Sequence, residues 1–272
     1  DVKDSSASPF RIDVKLHEVL MDPGKERSTL VPEGPALTLP EPVYPQREYS
    51  ESTDRTLTDY QRFNAKRTWN AWGKPYFQSR SLSNRKSLRP IIAYLFTEWK
   101  CNLSCHYCWA FDNRVKGMNE DVARRSIDWL ESLGNRVLAL MGGEPLLRPH
   151  FVHKVTDYAS KKGFFVYVPT NGRLMRPEVV DRLGDAGVAV FNIAIDAIED
   201  SPELPKAFEP IRDYFEYCVK MQRRYGYTIA INTNICRNNM DDVRRLAELA
   251  VDYNVSIDFH INEAPMIEQE PF

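Results

Sequence analysis

The sequence predicts an α/β fold: an open, six-stranded parallel (β/α)6 partial TIM barrel with an irregular N-terminal extension. Three observations predict it. From Ile91 onward, short apolar segments alternate six times with amphipathic segments of helical period. Strands alternating with helices imply a parallel sheet joined by right-handed crossovers. Six strands are too few to close a standard eight-fold barrel, so the sheet should stay open. The first 90 residues break regular structure instead, with nine of the 18 prolines, seven of them before residue 46.

Two regions follow, 1–90 as the extension and 91–272 as the core. Residues 1–50 read as an extended arm, because proline at this density forbids helix and weakens strand. From Arg62 to Pro90 there are eight Lys or Arg and no acidic residue, interleaved with Phe63, Trp69, Trp72, Tyr76 and Phe77. One reading is a surface for an anionic partner, substrate or membrane headgroup. The favoured reading is a partly helical arm that buries Trp69 and Trp72 on the barrel while its charges face water.

The core elements follow in order. Ile91–Glu98 is the first strand. Asn119–Leu133 is a helix, with Asn119 as N-cap, acids in its first turn and Gly134 beyond its end. Val137–Met141 is the second strand, followed by a helix after Pro149. Phe164–Val168 is the third strand, and Arg176–Asp185 a helix with Pro177 near its start. Val188–Ile195 and its helix Phe208–Tyr225 come next, then Tyr227–Thr233 with Met240–Asp252, and last Val255–Ile261. The pattern stops at the sixth strand, which leaves a covering helix or C-terminal domain to be expected beyond it. The chain begins at Asp1 rather than Met, so processing or trimming is expected.

Parity along the strands assigns faces. Asn192, Ala194 and Asp196 alternate with Phe191, Ile193 and Ile195. Thr228, Ala230, Asn232 and Asn234 alternate with Ile229 and Ile231, and Ser256, Asp258 and His260 with apolar neighbours. Three successive strands thus turn a polar face to the lumen. A packed barrel would fill that space with branched apolar side chains, so a cavity for a polar ligand is expected.

Bulk properties narrow the class. The net charge of −2 gives no basic footprint, so nucleic acid is not an expected partner. No apolar run approaches the roughly 20 residues of a membrane span, and no secretory signal is visible; membrane association is not favoured.

Three of the five cysteines crowd into Cys101-Asn-Leu-Ser-Cys105-His-Tyr-Cys108. A structural zinc site needs four ligands, usually in two distant pairs; His106 sits too close to the flanking cysteines to join them, and Cys218 and Cys236 are single. An odd count and the crowding of three thiols disfavour disulfides. A 4Fe–4S cube held by three thiolates leaves one iron open to a non-protein ligand.

Cys101-x3-Cys105-x2-Cys108, with Tyr107 before the last cysteine, resembles the signature of the radical S-adenosylmethionine (radical SAM) enzymes. Gly142-Gly143-Glu144-Pro145 is similar to that family's GGEP segment. Pro169-Thr170-Asn171-Gly172 and Ala194-Ile195-Asp196-Ala197 are similar to its later strand-end motifs, and the likeness covers residues 91 to about 262. The resemblance implies an open six-stranded partial barrel, a 4Fe–4S cluster on Cys101, Cys105 and Cys108, and S-adenosylmethionine chelating the open iron through its amino group and carboxylate. It also implies one-electron cleavage to methionine and a 5′-deoxyadenosyl radical, which abstracts hydrogen from, or adds to, an organic substrate of unidentified class. A cytoplasmic one-electron reductant of flavodoxin or ferredoxin type is implied as partner. Reduced thiolates point to the same compartment.

Residue by residue, Gly142 and Gly143 are expected to admit close backbone approach and unusual φ. Glu144 is expected to accept from the cofactor's ammonium, and Pro145 to stiffen the turn. Tyr107 is set beside the adenine or packed on the cluster, Asp196 by the ribose or capping the next loop. Thr170, Asn171, Asn232 and Asn234 complete the cofactor set. Where relatives carry Ser-Ile-Asp-Gly this chain has Ala194 and Ala197, so a serine contact is missing. His260 is a weaker substrate ligand, Cys236 a weak hydrogen-atom donor near the mouth, and Cys218 a core residue. Two alternatives are kept. Asn262-Glu263-Ala264-Pro265 loosely resembles the branch that adds the adenosyl radical to a hopanoid alkene, and a non-catalytic Fe–S sensor or electron relay is the other.

Overall fold

Six strands pair in sequence order, each parallel to its neighbour: β1 (Ile92–Glu98), β2 (Val137–Gly142), β3 (Phe165–Thr170), β4 (Val190–Ala194), β5 (Thr228–Ile235) and β6 (Ser256–Ile261). The structure, a computed structural model, describes residues 54–79, 90–105, 107–108 and 112–261. His106, the Pro-rich arm of residues 1–50 and the Asn262–Pro265 cue lie outside them.

The crossover helices take their places by amphipathic spacing and local caps. In α3 (Glu120–Ser132), Asn119 accepts from the Val122 N–H at 2.8 Å, and Ala123, Ile127 and Leu130 are buried at i, i+4, i+7. Pro149 and Pro177 open α4 (Pro149–Lys161) and α5 (Pro177–Asp185), where a missing N–H costs nothing. Phe208–Tyr225 is not one helix: a 3-10 turn over Glu209–Ile211 precedes α6 (Arg212–Tyr225), because Pro210 suits a first turn but not a helix interior. Gly226, at φ 84°, closes α6 in the left-handed conformation. The last crossover helix is α7 (Met240–Asp252). Between helices and sheet lies the main core, including Leu138, Phe191, Ile193, Phe215 and Cys218, each at most 1% exposed.

The N-terminal segment is helical over its described part: α1 (Leu57–Thr68), a π-helical turn (Trp69–Gly73) and α2 (Lys74–Ser79). Ala71 and Trp72 pack against Val137, Phe165, Val190 and Ile92, near the starts of the strands, so this arm stops the N-terminal end of the sheet. Arg67 donates to the carbonyls of Gly187 and Val188, and the Tyr60 hydroxyl to that of Tyr227. Arg67's charge therefore goes to backbone acceptors. The expectation for the two tryptophans divides. Trp72 packs edge-on to Tyr167 at 6.0 Å, whereas Trp69 is 54% exposed and stacks obliquely on Phe77 of its own arm. Residues three apart share a face of an α-helix; the wider π-helical turn over Trp69–Gly73 separates them and puts only Trp72 on the sheet.

Candidate active site

With the N-terminal end stopped, the open space lies at the C-terminal ends of the strands, where parallel α/β folds place their chemistry. A cavity of about 710 Å3 occupies it. Parity held for Asn192, Ala194, Asn232, Asn234, Asp258 and His260, all of which line it. It failed for Asp196, which lies beyond the end of β4 and is completely buried.

The loop after β1 brings Cys101, Cys105 and Cys108 to one end of this cavity. Polar bonds fix the loop. The Cys101 N–H donates to Asn113 Oδ1 at 3.0 Å, and Asn171 Nδ2 donates to Asn102 Oδ1 at 2.8 Å. The Tyr107 hydroxyl, itself buried, donates to Asp196. Asp196 also accepts from the Asn234 N–H at 2.7 Å and lies 3.6 Å from Lys206 Nζ. These contacts tie the cysteine loop to β4 and β5 through the Asp196 carboxylate.

Gly142 and Gly143 line the cavity, but neither has positive φ. Their small size serves the backbone behind them: a Cβ would lie 2.0 Å from the Glu98 carbonyl at Gly142 and 2.4 Å from the Lys100 carbonyl at Gly143. The Gly143 N–H donates to Glu98 O at 2.9 Å and the Glu144 N–H to Lys100 O at 2.8 Å. The segment therefore lies flat against the residues that lead into Cys101. Glu144 does not line the cavity. It is completely buried, its Oε1 accepting from Thr170 Oγ1 (2.8 Å) and the Leu146 N–H (2.9 Å), its Oε2 from the Asn171 N–H (2.8 Å). Burial pushes its pKa up to about 7 even against these donors. Within the protein Glu144 clamps the end of β2 to the end of β3. Pro145, Thr170 and Asn171 do face the cavity.

Cys236 is buried and does not line the cavity; it packs behind the loop in a cluster that contains Cys105, Tyr107, Leu204 and Ala207. That position removes the reason for reading it as a hydrogen-atom donor. His260 stands at the open edge of β6.

One residue escaped the sequence reading. Lys206, in the irregular stretch between β4 and α6, is the one Lys or Arg among the described residues lining the cavity. Its carbonyl accepts from the Asp196 and Ala197 N–H groups, which folds the loop back and sets Nζ 5.0 Å over the Tyr107 ring. Burial opposes its charge, but Asp196 first and the three cysteines after it outweigh that, so its pKa is raised. Conversely, burial pushes the Cys101 thiol up to about 12, with nearby Glu144 adding to the effect. Burial also raises Cys105, against the pull of Lys206. No hydrophobic period marks such a loop; a lysine after Leu-Pro carries no signal by itself.

The arrangement suits the group that its donor chemistry suggests. Three thiols and one cation share an end of a cavity with glycine backbone and amide side chains. Among the described residues, no trio of His, Cys, Asp or Glu is placed to clasp a single metal ion. A 4Fe–4S cube instead takes its thiolates on separate irons.

Comparison with known proteins agrees. The family model of the Radical SAM superfamily matches residues 100–250, more than half of the chain, and the chain belongs to that superfamily. It is 30% identical over 167 residues to an AdoMet-dependent heme synthase of Methanosarcina barkeri, covering 59% of this chain and 47% of that one. It is 30% identical over 182 residues to a GTP 3′,8-cyclase of Chlorobaculum tepidum, covering 63% and 51%. The chain thus spans about half the length of the curated relatives it matches. Among solved structures, Streptococcus suis SuiB bound to S-adenosylmethionine aligns with a TM-score of 0.58 at 14% identity, over 67% of this chain and 44% of that one. This likeness speaks to the fold. Members of this family are enzymes, so the non-catalytic relay is set aside.

Proposed function

We propose that the chain is the catalytic core of a radical SAM enzyme, holding a 4Fe–4S cluster on Cys101, Cys105 and Cys108 and S-adenosylmethionine beside it. The observation that carries this is the convergence of three thiols and Lys206 on one end of a 710 Å3 cavity at the C-terminal ends of the strands. When cluster and cofactor are bound, one-electron reduction of the sulfonium C–S bond supplies methionine and a 5′-deoxyadenosyl radical.

The chain's own residues bind and orient. Lys206 is offered to the cofactor's carboxylate, being the lysine the cavity presents. Gly142, Gly143 and Pro145 offer backbone carbonyls to the ammonium. Tyr107, Asn232 and Asn234 flank the adenine and ribose. Thr170 and Asn171 face the same space while holding Glu144 and the cysteine loop. The remaining wall, with Trp72, Tyr94 and Tyr167 toward the strand starts and Asp258 and His260 on β6, is left for an organic substrate. No helix among the described residues is long and apolar enough to cross a membrane. Thiolates that must stay reduced favour the cytoplasm.

The test is anaerobic reconstitution with iron and sulfide, then dithionite and S-adenosylmethionine. Methionine and 5′-deoxyadenosine should appear in equal amounts, and Cys105→Ala should abolish both. A fully loaded cluster that yields neither product would refute the proposal.

A further inference from the structure

Outside the cavity, the cysteine loop walls a second hollow of about 260 Å3, lined by Glu98, Lys100, Arg114, Lys116, Gly117 and Arg148. Four cations and one carboxylate, Glu98, line it, a second carboxylate, Asp112, holds Arg114 from beside it, and both carboxylates are used locally. Asp112 chelates the Arg114 guanidinium at 2.9 and 2.7 Å. Glu98 Oε1 accepts from the Trp99 and Lys100 N–H groups, and Oε2 lies 3.8 Å from Arg148 Nε. Gly117 makes room, since a Cβ there would come within 2.5 Å of Arg148 Nη1. Among the described residues, neither Lys100 nor Lys116 is paired with a carboxylate. The whole chain carries −2, so this positive charge is a local concentration.

The hollow backs directly onto the first cysteine. Lys100 precedes Cys101, Asn113 Oδ1 holds the Cys101 N–H, and the Asp112 N–H donates to Trp99 O at 2.8 Å. An electron donor must come close to the metal centre from outside, because the cavity on the other side is needed for cofactor and substrate. This face meets both conditions.

We propose that the basic hollow around Lys100 and Lys116 is the docking surface for an acidic one-electron carrier protein. The inference rests on the proposed function, since it presupposes a redox centre on the cysteine loop. In the step served, the carrier is oxidised by one electron and the centre reduced by one; no bond forms or breaks. Lysines on flexible stems suit a transient, electrostatically steered encounter.

The experiment measures binding of an acidic flavodoxin to the reconstituted chain and, separately, cleavage of S-adenosylmethionine driven by dithionite. Lys100→Glu and Lys116→Glu, singly and together, should weaken flavodoxin binding, the double variant by about tenfold or more at low salt. Salt of about 0.5 M should close most of the gap. The dithionite-driven rate should stay within about twofold of wild type, because Lys116 is exposed, Lys100 only half-buried, and neither is paired with a carboxylate. Flavodoxin binding that is unchanged in the double variant would overturn the docking surface, as would a dithionite rate that falls as far as the binding does. Wild-type flavodoxin binding without any dithionite-driven cleavage would instead sink the function and leave the surface standing.

Discussion

The Tyr107 hydroxyl donates to the carboxylate of Asp196, 89 residues away in sequence, with both groups buried. Through it the loop that carries the cysteines is tied to the polar ends of β4 and β5, where Asp196 also accepts from Asn234. Tyr107→Phe removes one hydrogen bond from a buried carboxylate and should cost about 1.5–3 kcal/mol of stability. Chemical denaturation of the apo chain measures that loss, and iron per chain should fall with it. A variant of unchanged stability and full iron content would show that this tie does not hold the loop.

Gly143→Ala tests the finding that the glycine pair serves the backbone. Its Cβ would meet the Lys100 carbonyl at 2.4 Å, so the approach to Cys101 must shift. Iron content should therefore drop together with S-adenosylmethionine binding. If the cluster loads fully and only cofactor binding suffers, the glycine acts on the cavity alone.

Glu144→Gln sets an amide NH2 against one of the donors that now serve the carboxylate, and should cost about 1–3 kcal/mol. The wild-type pH dependence follows from the raised pKa. Moved from 4.5 to about 7, Glu144 keeps its proton in the folded apo chain where the unfolded chain has lost it. Its contribution to stability is full below about 4.5 and is lost as pH rises through 7. Denaturation midpoints across this window should fall less steeply in Glu144→Gln than in wild type; equal slopes would assign the dependence to other groups.

Lys206→Met keeps length and removes charge. If Lys206 meets the cofactor's carboxylate, the dissociation constant of S-adenosylmethionine should rise about tenfold or more while the 400 nm absorbance of the cluster persists. Isothermal titration under anaerobic conditions measures it. An unchanged constant would leave Lys206 as a partner of Asp196 only.

The sequence made the scaffold legible because its signals are periodic. Alternation of period 2 placed Asn192, Asn232, Asn234 and Asp258 on the lumen, and Asn119, Pro177 and Gly134 marked helix ends by local chemistry. The cysteine spacing is local in the same sense. What was not legible depends on chain reversal in irregular loops. Lys206 reaches the cysteines because its carbonyl captures two N–H groups after β4, a geometry without a sequence period. Glu144 and Asp196 were identified as site residues, but their roles turned on burial. Which donors would surround each carboxylate depends on distant segments, Thr170 and Asn171 for one and Tyr107 for the other. Trp69 and Trp72 are alike in sequence, and the π-helical turn that carries them separates them.

The central claim is that three thiolates leave one iron open and that S-adenosylmethionine binds there. Electron paramagnetic resonance of the reconstituted, dithionite-reduced chain, recorded with and without S-adenosylmethionine, addresses it directly. The signal of the reduced cluster should change shape on adding the cofactor, and Cys101→Ala should show no such cluster. An intact 4Fe–4S signal that is identical with and without saturating S-adenosylmethionine would contradict the account.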